Sequence, residues 1–341
     1  MAAMAFASAS LLPSAGLAQE TPAVAAIYEK AKAEGAVNSE GAWSQEQMQP
    51  LIEAFEARYP GVKVSYVNKA PDAQTVAALI TEIEAGSSTL DVTGSAPTFL
   101  LPLMDRDLVL AYPDWGNLGL APEMVKYDGR FLYLHDSVFV LAYNTDLVTP
   151  EEAPRQWKDL LDPKWKDGAL ILDSRGLFLS PLAVERGLGM DSVIEIASGL
   201  KEQNPLFVTR GSLALDRLSA GEGSIASVSL TFLLGRIAQG APVAVAPVSP
   251  QANFPFGHAI LKSGKHQNAA ILWVSWLASP EARKIVDAQG IGFATPCGDT
   301  RGGKLLCDAK IELVTLESPE DVATSIEAFG KVTAALGTQA K

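Results

Sequence analysis

The sequence predicts an α/β protein of two lobes joined by crossover hinge strands, and three observations carry that prediction. Helical and strand-like apolar periods alternate from about residue 22 onward, as they do where helices cover a largely parallel sheet. The alternation is broken twice by long extended stretches, FLYLHDSVFVLAYNT at 131–145 and VAVAPVSPQANFPFGH at 243–258. The chain is 341 residues long, about two domains at roughly 150 residues each, and carries no repeat at the ~20–50-residue period of a solenoid.

Taken in order, Met48, Leu51, Ile52, Phe55 and Tyr59 fall at helical spacing and are stopped by Pro60-Gly61. Ser44 and Gln47 have the spacing of a capping box. Pro50 sits deep for a regular helix, so the regular part is expected to begin near it. VKVSYV at 62–67 alternates like a strand. Val76, Leu79, Ile80 and Ile83 form a helical stripe ended by Gly86. Residues 89–92 read as a short strand with Gly94 turning out of it, and 98–104 as a helix.

The stretch 131–145 is apolar and extended, with His135-Asp136-Ser137 as a polar break, which suits a strand crossing between lobes. A second series follows. Strands are expected at 168–172, 206–209 and 224–228, and helices at 181–187, 192–202, 212–220 and 230–239. Three prolines between 243 and 258, Pro247, Pro250 and Pro255, forbid a helix and favour an extended return path. Apolar helices then follow at 270–277 and 280–288, and an amphipathic one at 321–336. Two crossings imply a hinge, and a cleft between lobes is where a ligand sits. The expected division is 19–136 plus 250–293 for lobe I and 137–249 plus 294–341 for lobe II.

With 27 Lys and Arg against 39 Asp and Glu, the net charge is −12. That argues against nucleic acid or an anionic membrane as the main partner. The N-terminus, MAAMAFASASLLPSAGLAQE, is apolar and rich in small residues, and Gly16 and Ala18 fit the −3 and −1 positions of a signal-peptidase site. Residues 1–18 are therefore expected to be a cleaved export signal, although no Lys or Arg precedes the apolar run. No later stretch reaches the ~18 uninterrupted apolar residues of a spanning helix. Cys297 and Cys307 are the two cysteines; in an oxidising compartment they can close a short disulfide loop.

Catalytic signatures are missing. There is no GxSxG elbow, no GxxxxGK[ST] loop, no GxGxxG after a strand and no HExxH, and the three histidines are scattered. What remains are polar loops at the C-terminal ends of expected strands: Ser39-Glu40-Gly41, Gly94-Ser95-Ala96, Asp173-Ser174-Arg175-Gly176, Thr209-Arg210-Gly211-Ser212, and Ser227 with Ser229. In open α/β sheets ligands bind at that edge. Free backbone N–H groups and helix N-termini there favour an anion, and Arg175 and Arg210 can each present a fork to a carboxylate or phosphate. Any one loop is an ordinary turn with an N-cap serine; their convergence is the signal.

Six stretches make a family visible: LIEAFEARYPGVKV, EIEAGSSTLDVTGSAPTFLLPLMDRDLV, LAYNTDLV, WKDLLDPKWKDGALI, LSAGEGSIASVSLTF and HAILKSGKHQNAAILWVSWLASPEARK. Together they resemble the extracellular solute-binding proteins of ABC importers, in the branch that includes the ferric-ion-binding proteins. The resemblance implies a type II periplasmic-binding-protein fold whose lobes close on a ligand. It also implies a periplasmic location, delivery to a membrane permease driven by a separate ATPase, and no enzymatic activity. A monomer without cofactor or resident metal is expected.

The resemblance also implies a tyrosine pair where this chain reads Ser229-Leu230-Thr231-Phe232, and an early histidine where it reads Ser39-Glu40-Gly41-Ala42-Trp43. Thr and Phe cannot supply the phenolates that Fe(III) needs. The family's anion-holding loop corresponds to Ser174-Arg175-Gly176, which here gains a guanidinium. The leading expectation is thus a small organic anion, a carboxylate or phosph(on)ate, anchored by Ser39, Ser95, Ser174, Arg175, Gly176, Arg210, Ser229 and Thr231, with Trp43 or Phe232 on its apolar part. Alternatives are a cationic ligand such as a polyamine, caged by Glu40, Asp136 and Trp43, a metal ion held without tyrosinate, and an exported enzyme.

Overall fold

The computed structural model describes residues 21–69, 73–209, 211–289, 296–316 and 318–338; the expected export signal lies outside them. The first lobe opens with helix α1 (Pro22–Glu34), strand β1 (Ala36–Gly41), α2 (Gln45–Arg58), β2 (Lys63–Asn68), α3 (Ala73–Glu84), β3 (Val92–Ser95) and α4 (Pro97–Asp105). A short strand β4 (Val125–Lys126) precedes the crossing strand β5 (Phe131–Asn144). The second lobe follows with β6 (Leu170–Asp173), α5 (Met190–Glu202), β7 (Leu206–Val208), α6 (Gly211–Ser219), β8 (Ile225–Ser229), α7 (Leu230–Ala238) and β9 (Val243–Val245). Strand β10 (Gln251–Ile260) returns to the first lobe, which adds α8 (Gln267–Leu277) and α9 (Pro280–Ala288). The chain ends in α10 (Arg301–Asp308), β11 (Leu313–Thr315) and α11 (Pro319–Leu336).

The sheet runs β2-β1-β3-β10-β5-β8-β6-β7. It is parallel within each lobe, where β1 pairs with β2 and β3, and β6 with β7 and β8. The crossing strands are antiparallel to each other and to β3 and β8, so the sheet is mixed rather than mostly parallel. Their length has a packing reason. Leu132 and Leu134 of β5 enter the core around Phe55 and Trp273, while Leu141 and Tyr143 enter the core around Trp157 and Phe178. Strand β10 does the same in reverse, with Ala252 in the second core and Ile260 in the first.

Each lobe buries both faces of its sheet. In lobe I, α1, α2, α8 and α9 cover one face, where Phe55 packs edge-on against Trp273 and Trp276 at 4.9 and 5.6 Å; α3 and α4 cover the other. In lobe II, α5 and α11 cover one face and α6, α7 and α10 the other. Cys297 and Cys307 are joined by a disulfide with a Cα–Cα distance of 4.7 Å.

Three local expectations are corrected. Helix α2 starts at Gln45, five residues before Pro50, because the capping box forms: the Gln47 N–H donates to Ser44 Oγ and Ser44 N–H to Gln47 Oε1. Pro50 removes a single bond from an early turn, and the cap offsets it. Gly94 stays inside β3 instead of turning out of it. A Cβ there would lie 2.5 Å from His258 Nε2, so the glycine admits the histidine ring. The helix expected at 181–187 shrinks to a 3-10 turn at Ser180–Ala183. The chain then doubles back so tightly that a Cβ on Gly187 would meet the Leu182 carbonyl oxygen at 2.5 Å.

Candidate functional site

Where the two crossing strands leave the lobes apart, a cavity of about 230 Å³ opens. Ala42, Trp43 and Gln47 reach it from lobe I, at the C-terminal end of β1 and the start of α2. His135, Ser137 and Phe139 line it from β5, and Phe256 from β10. Alternation along β5 sets this arrangement, since residues two apart share a face. Lobe II supplies Arg175, Gly211, Ser229, Thr231 and Phe232, at the ends of β6 and β8 and the starts of α6 and α7.

Trp43 is fixed in place. Its carbonyl accepts from the Tyr66 hydroxyl at 2.8 Å, and its indole N–H donates to His135 Nε2 at 3.2 Å. The His135 ring lies 4.7 Å from Trp43 and 4.6 Å from Phe256, between the two. Burial, with His258 as a lesser cause, pushes the His135 pKa down to about 3, so the ring is neutral at physiological pH. An indole N–H can only donate, so Nε2 carries the lone pair and the proton sits on Nδ1. That Nδ1 has no hydrogen-bond partner among the described residues. A buried N–H donor left unpaired costs about 1–3 kcal/mol.

On the opposite wall the Arg175 side chain is forked onto Asp173, with Nε 3.0 Å from Oδ1 and Nη2 2.6 Å from Oδ2. Asp173 is fully buried and also accepts from the Arg175 backbone N–H at 2.8 Å. The ion pair is therefore neutral overall, and Nη1 lies outside the fork. Positive potential on this wall comes more from the N-termini of α6 and α7 than from net side-chain charge. Ser229 caps α7 in an extended conformation without a side-chain hydrogen bond to the helix, so its hydroxyl is not spent on the cap.

Of the residues singled out in the sequence, Trp43, Asp136, Arg175, Ser229, Thr231 and Phe232 line this cavity. Arg210 lies outside the described residues. Ser39, Glu40, Ser95, Ser174 and Gly176 are not on its wall. Ser39 and Ser95 are buried within β1 and β3. Glu40, which the cationic alternative needs, is 6% exposed; its carboxylate accepts from Thr93 Oγ1 at 3.0 Å and lies 3.8 Å from Lys69. Burial raises its pKa above the usual carboxylate value.

Ser174 and Gly176 shape a turn. The Ser174 N–H donates to the Val208 carbonyl and its own carbonyl accepts from Thr338. Gly176 has φ +67°, and a Cβ there would meet Val332 at 2.6 Å. The Asp136 carboxylate accepts from the Tyr133 hydroxyl and from Asn253 Nδ2, and Asp136 pairs with Pro255, on the opposite face of the strands from His135 and Phe256.

Sequence reasoning missed Gln47, Ser137, Phe139 and Phe256 on this wall, and above all His135. The alternation of FLYLHDSVFV carried the signal, because it puts His135 with Ser137 and Phe139 and separates all three from Asp136.

The model of the bacterial extracellular solute-binding protein family matches residues 99–302. A comparison with curated proteins gives no match. Among solved structures, iron-bound HitA from Pseudomonas aeruginosa is similar at 19% identity and TM-score 0.72, covering 88% of this chain and 99% of that one. The substrate-binding protein of an ABC transporter from Agrobacterium tumefaciens is similar at 13% identity and TM-score 0.69, covering 88% and 94%. Trichodesmium FutA in complex with iron and citrate is similar at 18% identity and TM-score 0.67, covering 89% and 100%. These likenesses extend over both lobes and show the two-lobed fold of periplasmic binding proteins.

Proposed function

Because the chain belongs to the bacterial extracellular solute-binding protein family, we propose that it is the periplasmic receptor of an ABC importer, capturing a small organic anion in the cleft. The observation that carries the ligand class is the unpartnered Nδ1–H of His135 on the cavity wall. It is a buried neutral donor, and an acceptor oxygen would satisfy it. Arg175 Nη1, the Ser229 and Thr231 hydroxyls and the N-termini of α6 and α7 add donors from the other lobe. Trp43, Phe139, Phe232 and Phe256 supply apolar walls for the rest of the molecule.

Capture then follows from the placement of these groups. The ligand joins donors of lobe II to the His135 donor on the hinge and the Trp43 wall of lobe I, so it stabilises the arrangement in which both reach it. Rotation about β5 and β10 makes and breaks that arrangement. The closed form is what a permease, powered by a separate ATPase, would read. The ligand leaves unchanged.

A second reading is a ferric ion, favoured by the relatives described as iron-bound. In its present tautomer His135 offers a donor rather than a lone pair on Nδ1, and the Asp136 carboxylate is turned to the other face. An iron site here would need an anion to complete it.

A thermal-shift panel of small carboxylates, phosphonates, amines and ferric ion tests the proposal. A ligand present at 100 times its dissociation constant stabilises by about 2.7 kcal/mol. An acid is expected to raise Tm, and ferric ion alone is not. Stabilisation by ferric ion alone would replace the proposal with the second reading. Turnover of the stabilising acid would make the protein an enzyme instead.

A further inference from the structure

A second cavity, of about 510 Å³, lies behind the hinge. Tyr133, Asn253 and Pro255 of the crossing strands form its floor, with Phe131 and Tyr127 from lobe I and Leu313 and Thr315 of β11 on the far side. Pro255 pairs with Asp136, and Asn253 with Val138, so this floor is the face of β5 and β10 opposite to His135, Ser137 and Phe256. The two cavities are separated by the thickness of the strand pair.

The floor holds an incomplete hydrogen-bond network. Tyr133 donates to Asp136 Oδ1, and Asn253 Nδ2 donates to the same carboxylate oxygen and to Thr315 Oγ1, the latter at 2.9 Å. The carboxylate fixes which way the Asn253 amide points, since the flipped amide would set its oxygen against Asp136. Asn253 is 2% exposed, and its Oδ1 has no partner among the described residues. The vacancy is thus an acceptor and calls for a donor.

The charge of the rim agrees. Glu123 and Glu312 are exposed at its edge, with Lys126 as the lining cation, and Asp136 adds a third carboxylate below. Tyr127, Phe131 and Tyr133 offer ring faces and edges, and Pro255 and Leu313 apolar surface. A volume in this range holds a small organic molecule. Carboxylates, aromatic rings and a buried acceptor are the chemistry that recognises an organic ammonium ion.

We propose that the cavity behind the hinge is a second ligand site, distinct from the cleft, that takes a small primary amine with an apolar body, its ammonium group donating to Asn253 Oδ1. Benzylammonium is a suitable probe, and benzyl alcohol its neutral counterpart. Calorimetric titration of the full protein is expected to show benzylammonium binding, with benzyl alcohol weaker by roughly fivefold or more. The double variant Glu123→Gln/Glu312→Gln changes exposed positions only, and should weaken benzylammonium by roughly fivefold. Asn253→Leu should abolish binding in protein that still unfolds cooperatively. Phe232→Ala, on the other cavity, should bind the amine as wild type does. Absence of benzylammonium binding, equal affinity for the alcohol, or a loss in Phe232→Ala with none in the double variant would each overturn the proposal.

Discussion

The indole N–H of Trp43 donates to Nε2 of His135 at 3.2 Å, across 92 positions of sequence, and so fixes the histidine proton on Nδ1. Trp43→Phe keeps the apolar wall and removes the donor. It should cost about 0.5–1.5 kcal/mol, the net worth of one hydrogen bond, measured by urea unfolding. The ring should also lose its fixed tautomer, visible as altered His135 nitrogen shifts in long-range proton–nitrogen spectra. Unchanged His135 shifts would show that Trp43 does not set the tautomer.

Two buried histidines make stability pH-dependent in a definite direction. Burial lowers His135 to about 3 and His258 to about 4, against an unfolded value of about 6.5. Below pH 6.5 the unfolded chain binds protons that the folded one refuses, so stability falls as pH drops from 6.5 towards 4. Each histidine contributes a slope of up to about 1.4 kcal/mol per pH unit in that window. Comparing unfolding of wild type and His258→Gln from pH 7 to 5 isolates one of them, and the variant should show the shallower slope. Parallel curves would mean that His258 is protonated in the folded state.

Gly94 is set against the His258 ring. Gly94→Ala places a methyl 2.5 Å from Nε2 of the buried His258 ring. A loss of about 1–3 kcal/mol is expected from overpacking. The double variant Gly94→Ala/His258→Ala should lose less than the sum of the two single ones. Strict additivity would place the cost elsewhere.

The disulfide closes a short loop, Cys297 to Cys307 being ten residues apart. The double variant Cys297→Ser/Cys307→Ser should lower unfolding stability by about 2–3 kcal/mol, from loop-closure entropy alone. A loss under about 0.5 kcal/mol would mean that the reduced segment holds its shape through packing.

Much of this fold could be read from periodicity. The apolar stripes of α2, α8 and α11 and the two extended crossings are patterns that burial imposes directly. Gly94 was misread because its reason is a histidine 164 positions away, a contact that no local rule contains. The second half of the 181–187 segment failed for the same kind of reason, a close approach of Gly187 to the Leu182 backbone.

At the site, Arg175, Ser229, Thr231 and Phe232 were legible because they follow strand ends, where an open sheet presents its ligands. Glu40 was not, since its side chain turns into the sheet to meet Thr93. Asp136 and His135 are neighbours in sequence but face opposite ways. Choosing the charged one passed over the strand's alternation, which the apolar residues around it already displayed.

The most direct test of an anion site is calorimetric titration of wild type, Arg175→Ala and Glu40→Gln with the acid that most raises Tm. Arg175→Ala loses one charged hydrogen-bond donor to the ligand, about 1.5–3 kcal/mol, so affinity should fall by one to two orders of magnitude. Glu40→Gln lies off the cavity wall and should bind within about twofold of wild type. Unchanged affinity in Arg175→Ala, or a loss confined to Glu40→Gln, would contradict the account.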